Sequence, residues 1–206
     1  MKAKFLAIAM ACLAVCTASR AQQKVGSLIV GYSPVGYIHE SVSLDDEKYK
    51  YDYKSYMNVS LGYERQFKGA VTLSELTYAR GKFDEYDLTG TSQWFNPAQQ
   101  KDIFSVVFTQ YFGTTINANK RVQFPVYFGI GGNYINGGPF HNLTIDGAAK
   151  FRVKFYFSGN FGIYAGITGR IGWGAKSASE ESSNNSNSYN IVNTSWAADA
   201  GIVIGI

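Results

Sequence analysis

Four cations stand close together in the stretch KFRVKFYFSGNFGIYAGITGRIGWG, which runs from Lys150 to Gly174. Lys150, Arg152 and Lys154 alternate with Phe151, Val153 and Phe155, and Arg170 follows beyond a Ser-Gly-Asn turn. Cations in such a pattern have three chemical uses. They can line a selective anion pore, interleave with aromatics to hold nucleic acid, or pair with carboxylates in an interior. The carboxylates available in comparable stretches are Glu64, Glu75, Asp146 and Asp199. A second group is His39-Glu40-Ser41, which on an extended strand puts a histidine and a serine on one face; with an acid, such a pair can perform acyl transfer. Other signals carry less. GIGG (Gly129–Gly132) and GITGRIGWG (Gly166–Gly174) have nucleotide-loop spacings, but no helical pattern follows to form a phosphate cradle. Asp45-Asp46-Glu47 and His141 read as solvated loop residues, and no Cys/His cluster has metal-ligand spacing. These patterns assign no catalytic, cofactor-binding or metal residue, and neither a cofactor nor an enzyme activity is expected.

The N-terminus bears on the first choice. MKAKFLAIAMACLAVCTASRA has basic Lys2 and Lys4, an apolar run from Phe5 to Ala18, and small residues at Ser19 and Ala21. This is the layout of a secretory signal peptide cut after Ala21. Domains are therefore expected at 1–21 (signal peptide) and 22–206. Losing Lys2, Lys4 and Arg20 takes the basic residues from 19 to 16 against 15 acidic ones. A near-neutral exported chain does not suit nucleic acid as a partner. Cys12 and Cys16 lie in the same segment, so the mature chain has neither disulfides nor thiol chemistry.

Composition and periodicity then set the fold class. Twenty-two glycines and 29 Tyr plus Phe accompany only four prolines, and period-2 alternation recurs along the chain. Strands are expected at Val25–Val42, Lys54–Phe67, Gly69–Phe83, Asp102–Gly113, Arg121–Tyr134, Leu143–Phe157, Asn160–Ala175 and Tyr189–Ile206. Connections at Ser43–Tyr53, Asp84–Lys101, Ile135–Asn142 and Lys176–Ser188 are long; those at Lys68, Thr114–Lys120 and Ser158–Asn160 are shorter. An even number of antiparallel strands with short turns at one end and long loops at the other is the pattern of an outer-membrane barrel. In this pattern, strand count and loop asymmetry, the chain resembles the small eight-stranded outer-membrane β-barrels of Gram-negative bacteria, of the OmpA-transmembrane, OmpX and opacity-protein type.

The resemblance implies an all-β, eight-stranded antiparallel transmembrane β-barrel with short periplasmic turns and long external loops, located in the outer membrane. Its partners would be outer-membrane lipid and lipopolysaccharide, with a surface ligand or host molecule at the external loops, no nucleic acid, and a monomeric state. Some small outer-membrane barrels modify lipid A with rim residues, so His39 and Ser41 remain an alternative as a lipid A-modifying hydrolase; a narrow pore is another.

A cation on the lipid face costs about 2–4 kcal/mol at mid-depth, so Lys150, Arg152, Lys154 and Arg170 should point inward. Eight strands leave an interior only wide enough for side chains, so these cations should meet carboxylates. The expected lumen network is Glu64, Glu75, Asp146, Lys150, Arg152, Lys154, Arg170 and Asp199, with Asp146 diagonal to Arg170, Glu64 level with Lys154, and Asp199 level with Lys150. A bulge near Ser74-Glu75 is expected in the third strand, because VTLSELTYARG does not alternate cleanly. Trp94, Phe95, Trp173 and Trp196 are expected in interfacial girdles.

Overall fold

The computed structural model describes residues 25–44, 47–67, 69–88, 103–117, 121–136, 141–157, 160–178 and 187–206. The proposed signal peptide, Trp94 and Phe95 lie outside the described residues. Eight strands follow in order: β1 (Val25–Leu44), β2 (Glu47–Gln66), β3 (Ala70–Leu88), β4 (Ile103–Asn117), β5 (Val122–Asn136), β6 (His141–Tyr156), β7 (Phe161–Ala178) and β8 (Asn187–Gly205). Each pairs antiparallel with the next, and β8 closes onto β1.

The alternation sorts side chains by solvent. Phe128, Ile130, Leu143, Ile145 and Ile167 turn outward and are 61–67% exposed. The intervening positions turn inward. On β6 these are Asn142, Thr144, Asp146, Ala148, Lys150, Arg152 and Lys154, all buried. A barrel that is apolar outside and polar inside is stable only with hydrocarbon around it, since the same outer surface in water would be a large unburied apolar patch. The chain therefore spans a membrane through its strands.

Cross-strand partners form an inclined row. From Tyr37 it passes through Trp196, Gly169, Ala149, Phe128, Phe112, Thr72 and Arg65, and returns to β1 at Gly26. The row descends toward the short-turn end in that direction, so from β1 to β2 to β3 it climbs toward the loop end. This stagger is what strand tilt imposes on a closed barrel, and it decides which inward side chains meet across the lumen.

Several expectations need correction. Ser43–Tyr53 is not a loop: its backbone pairs from Leu44↔Glu47 to Ile38↔Tyr53, leaving only residues 45 and 46 between the strands. The charged KYKYDYK stretch keeps a period of two, which the register converts into a continued hairpin. β3 likewise runs on to Leu88 and β4 to Asn117. No bulge occurs at Ser74-Glu75, because inward Val71, Leu73, Glu75 and Ala79 are buried in unbroken alternation. Breaks in register fall between Tyr32 and Val35 on β1, at Ser55/Met57 on β2, and opposite Asp52/Tyr53, where β3 carries the extra residue between Phe83 and Glu85. An extra residue reverses which parity faces inward, so Ser33 and Gly36 both face the lumen side and the odd positions beyond them turn outward.

Glycine permits two close approaches. A Cβ at Gly201 would collide with the Val30 carbonyl oxygen and lie 2.7 Å from Tyr164 Cε1. One at Gly31 would collide with the Tyr164 hydroxyl. The inward tyrosines fit because their neighbours have no side chain.

Candidate functional site

The lumen is filled in layers. Toward the short-turn end, Ile29, Val71, Leu73, Tyr111, Tyr127, Tyr164 and Val203 pack into one buried cluster. Charged side chains thread through the tyrosines. Glu75 forms ion pairs with Lys150 and, at 2.5 Å, with Arg152 Nη2; the same Nη2 lies 3.0 Å from Asp199 Oδ2. Nearer the turns, Lys154 Nζ pairs with Glu64 Oε2 at 2.5 Å, and the Tyr127 hydroxyl and Gln66 Nε2 also donate to that carboxylate. Lys150 Nζ sits 5.2 Å from the Tyr111 ring centroid, and the Arg152 guanidinium 4.3 Å from that of Tyr164. At these distances ring quadrupoles add to the carboxylate attraction. A buried charge is tolerable only when paired and hydrogen-bonded, and here each buried ammonium has a carboxylate in contact.

Not every anticipated pair forms. Asp199 contacts Arg152, whereas Lys150 reaches across to Glu75. Arg170 makes no ion pair with Asp146; its Nη1 donates to Thr109 Oγ1 at 2.5 Å across the lumen, and Asp146 accepts from Thr144 Oγ1 at 2.6 Å. Diagonal neighbours on β6 and β7 are within reach of one another, but a long arginine extends across a narrow lumen as readily as along its wall.

The loop end holds a second plug that sequence reading did not find. Tyr53, Ile103, Ile135 and Ile191 are buried there, and Glu40 accepts hydrogen bonds from Tyr53 (2.8 Å) on β2 and Asn142 (2.7 Å) on β6. A bridge from β1 to β6 crosses the barrel. Between the two plugs lies a cavity of ≈ 60 Å³ lined by hydroxyls such as Ser33, Ser60, Ser105 and Thr168, with Lys150 and Asp199 also on its wall. That is room for about four waters.

On the outer surface, aromatics mark the loop-side interface. Tyr37 and Trp196 stack at 6.1 Å, and Tyr78, Phe104 and Tyr134 form a chain of contacts at 6.4 and 6.1 Å. Trp173 is exposed on the same surface. Just beyond them lie His39 and Ser41. The β1 bulge turns both outward, and His39 Nδ1–H donates to the Asp52 carboxylate directly opposite on β2. Asp52 was absent from the sequence-based candidates because only the register brings it to His39. His141 begins β6 rather than lying in a loop.

Apolar exterior, closed eight-strand topology and inward polar face together define the class: an outer-membrane-type β-barrel. No family model matches the chain and no curated protein matches it by sequence. Solved structures resemble it in fold. OprG from Pseudomonas aeruginosa matches with a TM-score of 0.52 at 14% identity, over 89% of this chain and 97% of that one. The outer membrane protease OmpT from Escherichia coli gives 0.47 at 8% identity, covering 91% of this chain and all (100%) of its own. Ail, the attachment invasion locus protein of Yersinia pestis, in complex with the heparin analogue sucrose octasulfate, gives 0.40 at 16% identity over 87% and 99%. At these identities the likeness is one of fold.

Proposed function

We propose that this chain is an exported, monomeric outer-membrane barrel whose lumen is closed and whose work is done at its loop end, as a surface-interaction protein. In this reading the leader is cleaved after Ala21 and the short turns face the periplasm. The observation that carries it is the length of the strands. Spanning a bilayer takes about 9–11 tilted residues per strand, yet β1 and β2 each have 20, β3 and β8 have 19, and β7 has 18. The excess of β1 and β2 continues beyond the Tyr37–Trp196 girdle on the loop side, so the wall stands out of the membrane. A rigid projecting sheet presents its connections to large partners such as surface polymers or host molecules. The ion-paired and apolar plugs beneath it make transport a poor second reading.

Shortening the β1–β2 hairpin tests this. Replacing residues 42–49 by a two-residue turn should leave the barrel folded, seen as a gel mobility that changes on boiling. Adhesion of expressing cells to immobilised matrix proteins and polysaccharides should fall to the level of cells lacking the protein. Unchanged adhesion by the folded, shortened chain would sink the surface-interaction role.

A further inference from the structure

We infer that the lumen binds one monovalent hard metal cation, held by the Asp146 carboxylate and the amide oxygens of Asn133 and Asn193. The site lies inside the barrel and is independent of the surface-interaction role. Its residues come from β5, β6 and β8, and register sets them side by side. Asp146 is opposite Gly131 on β5 and Gly172 on β7, Gly172 is opposite Asn193, and Asn133 is opposite Thr144. Asn133, Thr144, Asp146 and Asn193 are each at most 1% exposed. A Cβ at Gly172 would collide with Asp146 Oδ1 and lie 2.5 Å from Asn193 Oδ1. The two oxygens therefore crowd one point beside the β7 backbone, and glycine leaves them room.

Hydrogen bonds within the group settle which atoms are left over. Thr144 Oγ1 gives its one proton to Asp146 Oδ1 at 2.6 Å, so it accepts from Asn193 Nδ2 at 2.8 Å. That contact fixes the Asn193 amide with its nitrogen toward Thr144 and its oxygen elsewhere. Asp146 Oδ2, Asn133 Oδ1 and Asn193 Oδ1 are then buried acceptors with no donor among the described residues. An unmet buried acceptor costs free energy, and a buried carboxylate costs more unless its charge is met. Water supplies donors but no charge. A hard cation supplies the charge and takes oxygen ligands of this kind.

The surrounding charges favour a single positive one. Among the described side chains, Lys150, Arg152, Lys154 and Arg170 face the lumen against Glu40, Glu64, Glu75, Asp146 and Asp199. One carboxylate is in excess. Lys154 is held by Glu64, and Lys150 and Arg152 by Glu75 and Asp199. Arg170, on the strand beside Asp146, directs Nη1 to Thr109 instead. A divalent ion would leave surplus positive charge in the lumen. No three His, Cys, Asp or Glu side chains gather to hold a metal among the described residues. The donor set is one carboxylate with neutral amide oxygens, which suits a hard cation and not a transition metal. Asn133 also lines the ≈ 60 Å³ cavity, so water there can complete the coordination.

The test uses full-length protein refolded into detergent micelles in N-methylglucamine buffer, with folding shown by heat-modifiable mobility. Urea unfolding is followed as NaCl or CaCl2 replaces the N-methylglucamine salt at constant ionic strength. Above the dissociation constant, each tenfold rise in free Na+ should raise the wild-type folding equilibrium constant about tenfold. Wild type that folds only once Na+ is added supports the site equally. Asp146→Asn should remain folded and show no such dependence. Thr144→Val, which releases the Asn193 amide, should raise the Na+ concentration required about 10–100-fold. Asp199→Asn removes a different lumen carboxylate and should keep the wild-type Na+ dependence. Folded wild type that is equally stable in Na+ and N-methylglucamine overturns the site, leaving water or a proton on Asp146 in its place. Full Na+ dependence retained by Asp146→Asn overturns it too. Stabilisation by Ca2+ at lower concentration than Na+, lost in Asp146→Asn, overturns the single charge. A chain with no heat-dependent mobility in either salt would instead refute the barrel itself.

Discussion

Glu75→Gln should destabilise the barrel by about 3–5 kcal/mol, the cost of breaking a buried ion pair from one side. Glu75 is 1% exposed and faces both Lys150 and Arg152. The amide is nearly isosteric, so no cavity forms; what changes is that two buried cations lose their shared counter-charge. Arg152 keeps Asp199, but Lys150 has no other carboxylate in contact among the described residues. Lys150→Met in the Glu75→Gln background should therefore restore more than half of the loss, since replacing a buried pair by apolar groups of similar volume is often neutral. Urea unfolding in micelles measures both. Asp199→Asn provides the internal comparison and should cost less, because Arg152 keeps its 2.5 Å contact with Glu75. If Glu75→Gln costs under about 1 kcal/mol, Glu75 is not the centre of the lumen network.

The second large effect belongs to the opposite face of the wall. Ile130 on β5 is 62% exposed and flanked by outward Phe128. Ile130→Arg should cost about 2–4 kcal/mol, because a guanidinium there must leave water for hydrocarbon. Asn117→Arg, at the exposed turn-side end of β4, should cost about 0–1 kcal/mol. The comparison separates lipid from water as the surrounding medium: a soluble barrel would tolerate both substitutions alike. Equal, small costs in bilayer refolding would remove the membrane reading.

How far the sequence leads depends on the range of the interaction. Period-2 alternation is local, so the eight strands, the inward cations on β6 and the outward Phe and Ile positions are legible directly. Connection lengths are equally local, but they yield the asymmetry only in part: residues 89–102 and 179–186 separate strands as long connections, whereas 45–46 and 137–140 at the same end are as short as the turns. The KYKYDYK segment misleads because charge suggests a solvated loop, and on the projecting sheet proposed above a charged strand is solvated too. Bulges are single extra residues, and nothing in SYMN or YSPVG distinguishes a register break from an ordinary step. Their consequence is large, because the β1 bulge turns His39 and Ser41 to the outside and sets His39 against Asp52. Contacts across the lumen depend on barrel stagger, a property of all eight strands at once. Lys150 finding Glu75, Arg170 finding Thr109, and Glu40 bridging to Asn142 are therefore invisible in the chain, although the need for carboxylates near those cations is not.

The closed lumen is tested most directly by electrical recording. Purified full-length protein in planar bilayers should give no stable openings, because among the described residues the ion-paired layer around Glu75, Arg152 and Asp199 and the plug of Tyr53, Ile103, Ile135 and Ile191 flank a small cavity. Large, long-lived openings from folded wild-type protein would contradict it.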